Sequence, residues 1–198
     1  MIKEPCKIVA IEHLTLDGIY QAPARPDEDT RNGFRHGGWS IAGNDQKMQE
    51  IINRYMVGGW SLLAGRTTYE DLFEAWSVRQ PSNPMTLALT RVQKFVTCHD
   101  FNYNPLWENS VLLVGDATET VAKLKKEHDK TLVIFGSGAL VRSLMQQRLV
   151  DEFVLMFHPL VLGEGRRFFD NEAPFTKLKL TDETITDTGV IITTYQLA

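Results

Sequence analysis

The feature that most constrains this chain is the regular alternation of short apolar segments with segments of helical periodicity. One helical face is formed by the apolar residues at 48, 51, 52, 55 and 56. The pattern predicts helices around 48–56 and at 67–76, 116–128 and 138–147. We expect Asn44 to cap the first of these helices and Thr67 to open the second in a capping box with Glu70, whereas residues 77–84 are predicted to form a plain connection. It predicts strands at 7–16, 60–64, 94–98, 111–114 and 132–135. Such alternation is typical of parallel strands joined by helices.

The C-terminal part follows a different pattern, because long β-branched segments succeed one another without helices between them. Strands are predicted at 152–162, 177–184 and 190–197, with Asp187-Thr188-Gly189 as the turn of a hairpin. We therefore expect an α/β fold with a mainly parallel central sheet, helices on both faces and an antiparallel C-terminal strand hairpin. No internal repeat divides the chain, so one domain over residues 1–198 is expected.

The charge and the cysteine content argue against several classes of protein. A net charge of −4 is unlike the basic surface of a nucleic-acid-binding protein. The two cysteines, Cys6 and Cys98, form no disulfide framework, and no two of the five histidines lie four residues apart, so no metal is expected. Residues 1–5 do not begin a signal peptide, and no apolar run reaches the roughly 18 residues that span a bilayer. We expect a cytoplasmic protein without a membrane segment.

The longest irregular stretch covers residues 17–43 and contains several prolines and glycines. A loop of this length inside a compact domain is usually functional or disordered. Phe34 and Trp39 give this loop apolar surface to bury, which favours an ordered, functional loop.

Two predicted strands end in glycine-bearing turns that lead into helices. These turns are Gly65-Arg66-Thr67-Thr68 and Gly136-Ser137-Gly138. Free backbone N–H groups at a helix N-terminus favour an anion such as phosphate, and the Arg66 guanidinium adds a permanent positive charge. The alternative is a plain tight turn in each case, and the acidic residues Glu70 and Asp71 compete for the first site.

Three carboxylates, Asp17, Asp45 and Glu50, are candidates for acid–base chemistry. Asp17 follows the first strand at the mouth of the predicted sheet, although Asp17-Gly18 is also a common turn sequence. Glu50 adjoins the apolar face of the first helix and is a candidate for a partly buried acid. The alternative for Glu50 is a position on the solvated face of that helix.

Short motifs in a fixed order along nearly the whole chain resemble a known family. The motifs are Leu16-Asp17-Gly18, Gly33-Phe34-Arg35-His36-Gly37-Gly38-Trp39, Leu63-Ala64-Gly65-Arg66-Thr67-Thr68-Tyr69-Glu70, Leu89-Thr90-Arg91, Gly136-Ser137-Gly138-Ala139-Leu140-Val141, and the run from Asp151-Glu152 to Gly163. The sequence resembles the reductase domain of the riboflavin-biosynthesis deaminase–reductase family, within the dihydrofolate-reductase-like superfamily. The loop motif is similar to the stand-alone, single-domain branch of that family.

The resemblance implies an oxidoreductase that transfers a hydride from NADPH to a small heterocycle of pyrimidine or pterin type. It implies a cofactor site at Gly18, Gly65, Arg66, Thr67, Thr90, Arg91, Gly136, Ser137, Gly138, Ala139 and Leu140, with the pyrophosphate on the second turn. Asp17 and Glu50 would be catalytic, and both would contact the substrate together with Trp39.

Other functions remain compatible with the sequence. The zinc-deaminase motifs H-x-E and P-C-x-x-C are absent from it, so deamination is not expected. A nucleotide-binding module without catalytic activity is the main alternative, and a flavin-dependent reductase is a weaker one. A homodimer is expected, because the β-rich tail would leave an exposed sheet edge.

Overall fold

The computed structural model describes residues 6–171 and 173–198, which contain one eight-stranded sheet. Its strands are β1 (Ile8–Thr15), β2 (Trp60–Gly65), β3 (Gln93–Cys98), β4 (Ser110–Val114), β5 (Thr131–Phe135), β6 (Glu152–His158), β7 (Leu178–Ile185) and β8 (Ile191–Leu197). Their order across the sheet is β4-β3-β2-β5-β1-β6-β8-β7. The pairs from β4 to β6 are parallel, whereas β8 pairs antiparallel with both β6 and β7. The predicted α/β fold with an antiparallel C-terminal hairpin is confirmed.

Within the described residues, five α-helices connect these strands, and the two main apolar cores lie on opposite faces of the sheet. They are α1 (Gln46–Arg54), α2 (Arg66–Leu72), α3 (Pro84–Arg91), α4 (Ala117–Glu127) and α5 (Gly138–Gln146). One core joins a face of the sheet to α1, α2 and α3, and the other joins the opposite face to α4 and α5. Within the described part of the chain, no helix is both long enough and apolar enough to cross a membrane. The expectation about a signal peptide concerns residues 1–5, which lie outside the described residues.

The helix boundaries differ from the predicted ones where capping was misassigned. Asp45, not Asn44, caps α1, because its carboxylate accepts the backbone N–H of Met48. Helix α2 starts directly after Gly65 rather than from a capping box at Thr67, and a π-helical segment at Phe73–Val78 extends it. The segment at 77–84 was predicted as a plain connection, and α3 after it was not predicted at all.

Strand β6 is shorter than the predicted segment at 152–162. It ends at His158 because Pro159 has no N–H to donate to a neighbouring strand. The C-terminal hairpin turns at the predicted Asp187-Thr188-Gly189, where Gly189 has a φ of 83°. Its outer strand β7 is an edge of the sheet and exposes Leu180 and Ile185. The homodimer stays a prediction.

The long loop after β1 is fixed by two polar side chains. The Gln21 side-chain amide donates to the carbonyls of Asp29 and Arg31 and accepts the N–H of Arg166. The Asp29 carboxylate accepts hydrogen bonds from the Arg31 and Arg166 guanidinium groups. Trp39 donates its indole N–H to the Gln21 carbonyl at 2.8 Å. These bonds hold the loop over the carboxyl ends of the strands.

A histidine pair joins β1 to β6 beneath this loop. His13 Nδ1 and His158 Nε2 lie 2.9 Å apart, so one ring donates to the other. The Trp39 ring meets the His158 ring edge-on. The backbone of Gly43 also packs closely on His158, because a Cβ added at Gly43 would lie 2.5 Å from His158 Nδ1. Burial lowers the pKa of His158 to about 4 and that of His13 to about 3. Both rings are therefore neutral at pH 7.

We predict that this pair weakens the fold in acid. The unfolded chain binds protons on these rings from about pH 6.5 downward, whereas the folded protein does not until about pH 4, so stability falls as the pH falls between those values. Each ring can contribute at most about 1.4 kcal/mol per pH unit. Urea unfolding of the wild type and of His158→Gln at about pH 7 and about pH 4.5 should show a smaller loss for the variant.

The control for this measurement is His99→Gln, which changes an exposed histidine. It should lose as much stability in acid as the wild type does. An unchanged acid loss in His158→Gln would show that the buried pair does not carry the effect.

Candidate active site

One cavity of about 950 Å³ opens at the carboxyl ends of the central strands, beneath the long loop. This volume lies near the upper end of the roughly 300–1,000 Å³ usual for small-molecule sites. The walls come from the end of β1, the turns after β2 and β5, one face of α1, the helices α2 and α3, and the loop. Most of the lining surface is apolar, and the loop adds the charged side chains of Arg25, Glu28, Asp29 and Arg31.

The two predicted anion-binding turns meet at this cavity. The backbone N–H of Gly65 donates to the Ser137 hydroxyl at 3.2 Å, although the two residues are 72 positions apart in the chain. They meet because β2 and β5 are neighbours whose following helices, α2 and α5, pack on opposite faces of the sheet. Such a topological switch is where open α/β sheets bind ligands. All of Gly65, Arg66 and Thr67, and the whole segment 136–140, line the cavity.

The turn after β5 has a backbone that suits close approach of a ligand. Gly136 and Ser137 both have positive φ, at 67° and 59°, which turns the chain sharply into α5. Gly138 then packs against the ring of Tyr20, and a Cβ there would lie 2.6 Å from Tyr20 Cζ. The guanidinium of Arg166 also lies over the Tyr20 ring, with its Cζ 5.4 Å from the ring centroid. The α5 N-terminus is thus bordered by an aromatic ring and a cation.

Arg66 stands at the rim of the cavity and is held by neighbouring side chains. Its Nε donates to Glu70 at 2.9 Å, and Nη1 lies 3.6 Å from an Asp100 carboxylate oxygen. The guanidinium also stacks over the Tyr103 ring at 4.3 Å. Because Glu70 already occupies the fork, an incoming phosphate must compete with that carboxylate for Arg66.

Helix α1 presents one face to the cavity, and Glu50 is not on it. The residues of α1 and its C-terminal end that line the cavity are Gln49, Ile52, Asn53 and Met56, at the spacing of one helical stripe. Glu50 is exposed and accepts a hydrogen bond from the Gln46 amide. The solvated alternative is the one that this geometry favours for Glu50.

Asp17 is engaged in holding two loops together. Its carboxylate accepts hydrogen bonds from the Thr15 hydroxyl and from the backbone N–H groups of Leu162 and Gly163. Although partial burial acts to raise it, these hydrogen bonds hold the pKa of Asp17 below its usual value. Asp17 is not among the described residues that line the cavity, so the geometry favours its turn role over a catalytic one.

The remaining predicted residues lie away from the cavity wall. The Gly18 carbonyl accepts the N–H of Phe168, and the Thr90 carbonyl accepts from the buried Lys94 ammonium. Arg91 is the exposed last residue of α3. Trp39 stabilises the loop through the hydrogen bond from its indole N–H to the Gln21 carbonyl. Their roles in binding stay predictions.

Four acidic residues on the cavity wall were not predicted from the sequence. They are Glu12 on β1, Glu28 and Asp29 in the loop, and Asp71 on α2. Burial raises the pKa of Glu12, Glu28 and Asp71, and the charge of Glu28 adds to the effect on the other two; the pKa of Asp71 reaches about 6. Although burial acts to raise it, hydrogen bonds from Arg31 hold the pKa of Asp29 below its usual value. Glu12 is the one acidic residue of the strand predicted at 7–16, and its charge was the available signal that this position was unusual.

Comparison with known proteins places the chain among reductase-like folds. The sequence model of the RibD C-terminal domain family matches residues 7–192. YyaP of Bacillus subtilis (strain 168), described as uncharacterized, is 26% identical over 176 residues, which are 84% of this chain and 89% of YyaP.

Two solved structures share the fold over nearly their whole length. A protein of Shewanella sp. PV-4, described as a riboflavin biosynthesis protein, has a TM-score of 0.67 at 18% identity, with 97% of this chain and 99% of that chain covered. Dihydrofolate reductase from Enterococcus faecalis, complexed with NADP(H), has a TM-score of 0.61 at 13% identity, with 96% of each chain covered. At such low identity these similarities establish the fold alone.

We predict that the two glycine turns tolerate a methyl group very differently. Gly138→Ala would push a Cβ into the buried Tyr20 ring and should lower the free energy of unfolding by about 1–3 kcal/mol. Gly65→Ala meets no atom closer than 3.9 Å and has an ordinary φ of −73°, so its stability should stay within about 0.5 kcal/mol of the wild type. Urea unfolding of both variants measures the difference. Equal stability of the two would contradict the packing of Tyr20 on α5.

Proposed function

Because the chain belongs to the RibD C-terminal domain family, we propose that it is an NADPH-dependent reductase acting on a small heterocycle of pyrimidine or pterin type. The observation that carries the proposal is the meeting of the Gly65 and Ser137 turns on one large cavity at the switch between β2 and β5. When bound, the nicotinamide would supply the hydride, and the protein would supply position and electrostatics.

The residues present fit a dinucleotide that carries several phosphates. The α5 N-terminus offers backbone N–H groups beside glycines with little steric bulk, as a pyrophosphate requires. Arg66, at the start of α2, is the cation placed to recognise a further phosphate, such as the 2′-phosphate that distinguishes NADPH from NADH. The adjacency of both turns supports one ligand that spans them.

The rest of the cavity fits a planar, partly polar substrate. Ile52, Met56 and Met85 contribute apolar surface, and the side-chain amides of Gln49 and Asn53 can hydrogen-bond to ring nitrogens and carbonyl oxygens. This end of the cavity lies between α1 and the end of β1, next to the strand end where the nicotinamide would lie.

A nucleotide-binding module without turnover is the second candidate. The observation that favours it is that Asp17, Asp45 and Glu50, the three acids expected from the sequence, all lie off the described cavity wall. The two candidates differ in turnover alone. NADPH oxidation with 7,8-dihydropterin, uracil and menadione as acceptors separates them, because the module would bind NADPH and oxidise none of it.

We predict opposite effects of two substitutions at the rim on NADPH affinity. Arg66→Gln removes the cation and should raise the Kd for NADPH about tenfold, but the Kd for NADH less than about twofold. Glu70→Gln removes the carboxylate that competes for Arg66 and should lower the Kd for NADPH about threefold. Quenching of tryptophan fluorescence, with Trp76 on the cavity wall, measures both constants.

Arg79→Gln is the matched control for this titration. Arg79 is about as exposed as Arg66 and makes a similar bond to Glu74, at 3.1 Å, but it is not among the residues that line the cavity. Its Kd for NADPH should equal that of the wild type. Wild-type protein that binds neither nucleotide below about 1 mM would rule out the proposed function.

A further inference from the structure

The Glu12 carboxyl lies on the cavity wall, and the proposed function gives it no role. Glu12 is 3% exposed. Its Oε1 accepts the backbone N–H of His13 at 3.2 Å, and its Oε2 is buried without a hydrogen-bond partner among the described residues. Native structures rarely leave a buried carboxyl oxygen unpaired, so an unpaired one in a ligand cavity calls for an explanation.

The position of Glu12 follows from the divergence of two strands. The carbonyls of Lys7 and Ile11 accept N–H groups from the β5 side, at Leu132 and Gly136, so by alternation the His13 N–H faces the same side. The last β1–β5 pair is Ile11 with Phe135, after which β5 turns into α5 while β1 continues. The His13 N–H thereby loses its strand partner, and Glu12 Oε1 takes that place. This bond orients the carboxyl in the gap between the two strand ends.

The charges around Glu12 favour its neutral form. No described cation bonds to it, and the acid whose charge acts on it is Glu28 across the cavity. Burial is the largest cause and raises the pKa of Glu12 well above its usual value. The hydrogen bond from the His13 N–H opposes this increase, and the charge of Glu28 adds a smaller increase. The other charged or titratable groups on the wall are His13, Tyr20, Arg25, Asp29, Arg31, Arg66, Asp71 and Arg166.

We propose that protonated Glu12 is the acid that donates a proton from Oε2 to the heterocyclic substrate during its reduction. This inference rests on the proposed function, which supplies the reduced nicotinamide dinucleotide as hydride donor. A hydride forms the new C–H bond at the carbon of a ring C=N bond, and the π-electron pair moves to the nitrogen. That nitrogen takes the proton as the Oε2–H bond of Glu12 breaks. A proton taken up from the bulk solvent then restores the protonated form of Glu12, so the net reaction consumes one hydride and one solvent proton.

The other acids of the molecule are less suited to this role. The Glu28 carboxylate already accepts the backbone N–H groups of Ala24 and Arg25. Asp17 and Glu50 lie off the described cavity wall. Burial and the charge of Glu28 raise the pKa of Asp71 on α2 to about 6, so Asp71 is mostly ionised at pH 7. Glu12 alone among these combines burial, an unpaired oxygen and a place at the end of the central strand.

The first test does not depend on activity. Infrared difference spectra between the wild type and Glu12→Gln, from about pH 5 to pH 9, should contain the carbonyl band of a protonated carboxylic acid at pH 7. The control Glu183→Gln changes an exposed glutamate on β7, and its difference spectrum should contain only carboxylate bands at pH 7. A Glu12 difference with only carboxylate bands at pH 7 would overturn the proposal.

The second test is single-turnover oxidation of NADPH with 7,8-dihydropterin, which has a reducible C=N bond. Glu12→Gln keeps the size of the protonated acid but cannot release a proton. It should slow the reduction at least about 100-fold, with the Kd for NADPH unchanged within about threefold. The wild-type rate should fall as rising pH ionises Glu12, and the rate of the variant should not depend on pH in that range.

The outcomes separate the inference from the function on which it rests. A Glu12→Gln variant that reduces dihydropterin within about threefold of the wild-type rate overturns the role of Glu12 and leaves the reductase intact. Wild-type protein that binds NADPH but reduces none of the three acceptors counts against the proposed function. The infrared result then still decides whether Glu12 holds a proton at pH 7.

Discussion

Strands β2 and β5 are neighbours, and the helices that follow them pack on opposite faces of the sheet; the cavity depends on this arrangement. The departing chains leave a crevice at the carboxyl edge of the sheet. The hydrogen bond from the Gly65 N–H to the Ser137 hydroxyl connects the two sides of the crevice. The turns that begin both helices therefore line one cavity.

The end of β5 also accounts for the polar groups that lie between β5 and its other neighbour, β1. Because β5 ends at Phe135 while β1 continues, the end of β1 has lost a neighbour along one edge. Glu12 satisfies the backbone there, and the His13–His158 pair fixes the opposite edge to β6. The long loop closes over these groups through Gln21 and Asp29, whose bonds connect it to Arg166. Buried polar groups at Glu12, His158, Gln21 and Asp29 thus lie at the carboxyl ends of β1 and β6 and in the loop above them.

The roles of the acids separate according to their partners. Asp17 has three hydrogen-bond donors and serves the fold, since a carboxylate so fully bonded has little left to offer a ligand. Glu70 accepts a hydrogen bond from Arg66, so it would compete with any anion for that cation. Glu12 has a single donor and an unpaired oxygen, which leaves it available to a substrate. Burial and partners, rather than residue type, distinguish a structural carboxylate from a reactive one.

The sequence by itself determined the alternation of strands and helices, the C-terminal hairpin and both glycine turns, because periodicity and turn chemistry are local properties. It missed α3, whose start depends on the Asn83 cap and Pro84 within what looked like a connection. The tertiary structure alone decided which acids face the cavity. Glu50 directly follows Gln49, which belongs to the stripe of α1 that lines the cavity. Glu12 belongs to β1, and it comes directly after Ile11, the last residue of β1 that pairs with β5. Strand register and helix rotation set those exposures, and both are fixed by contacts between residues far apart in the chain.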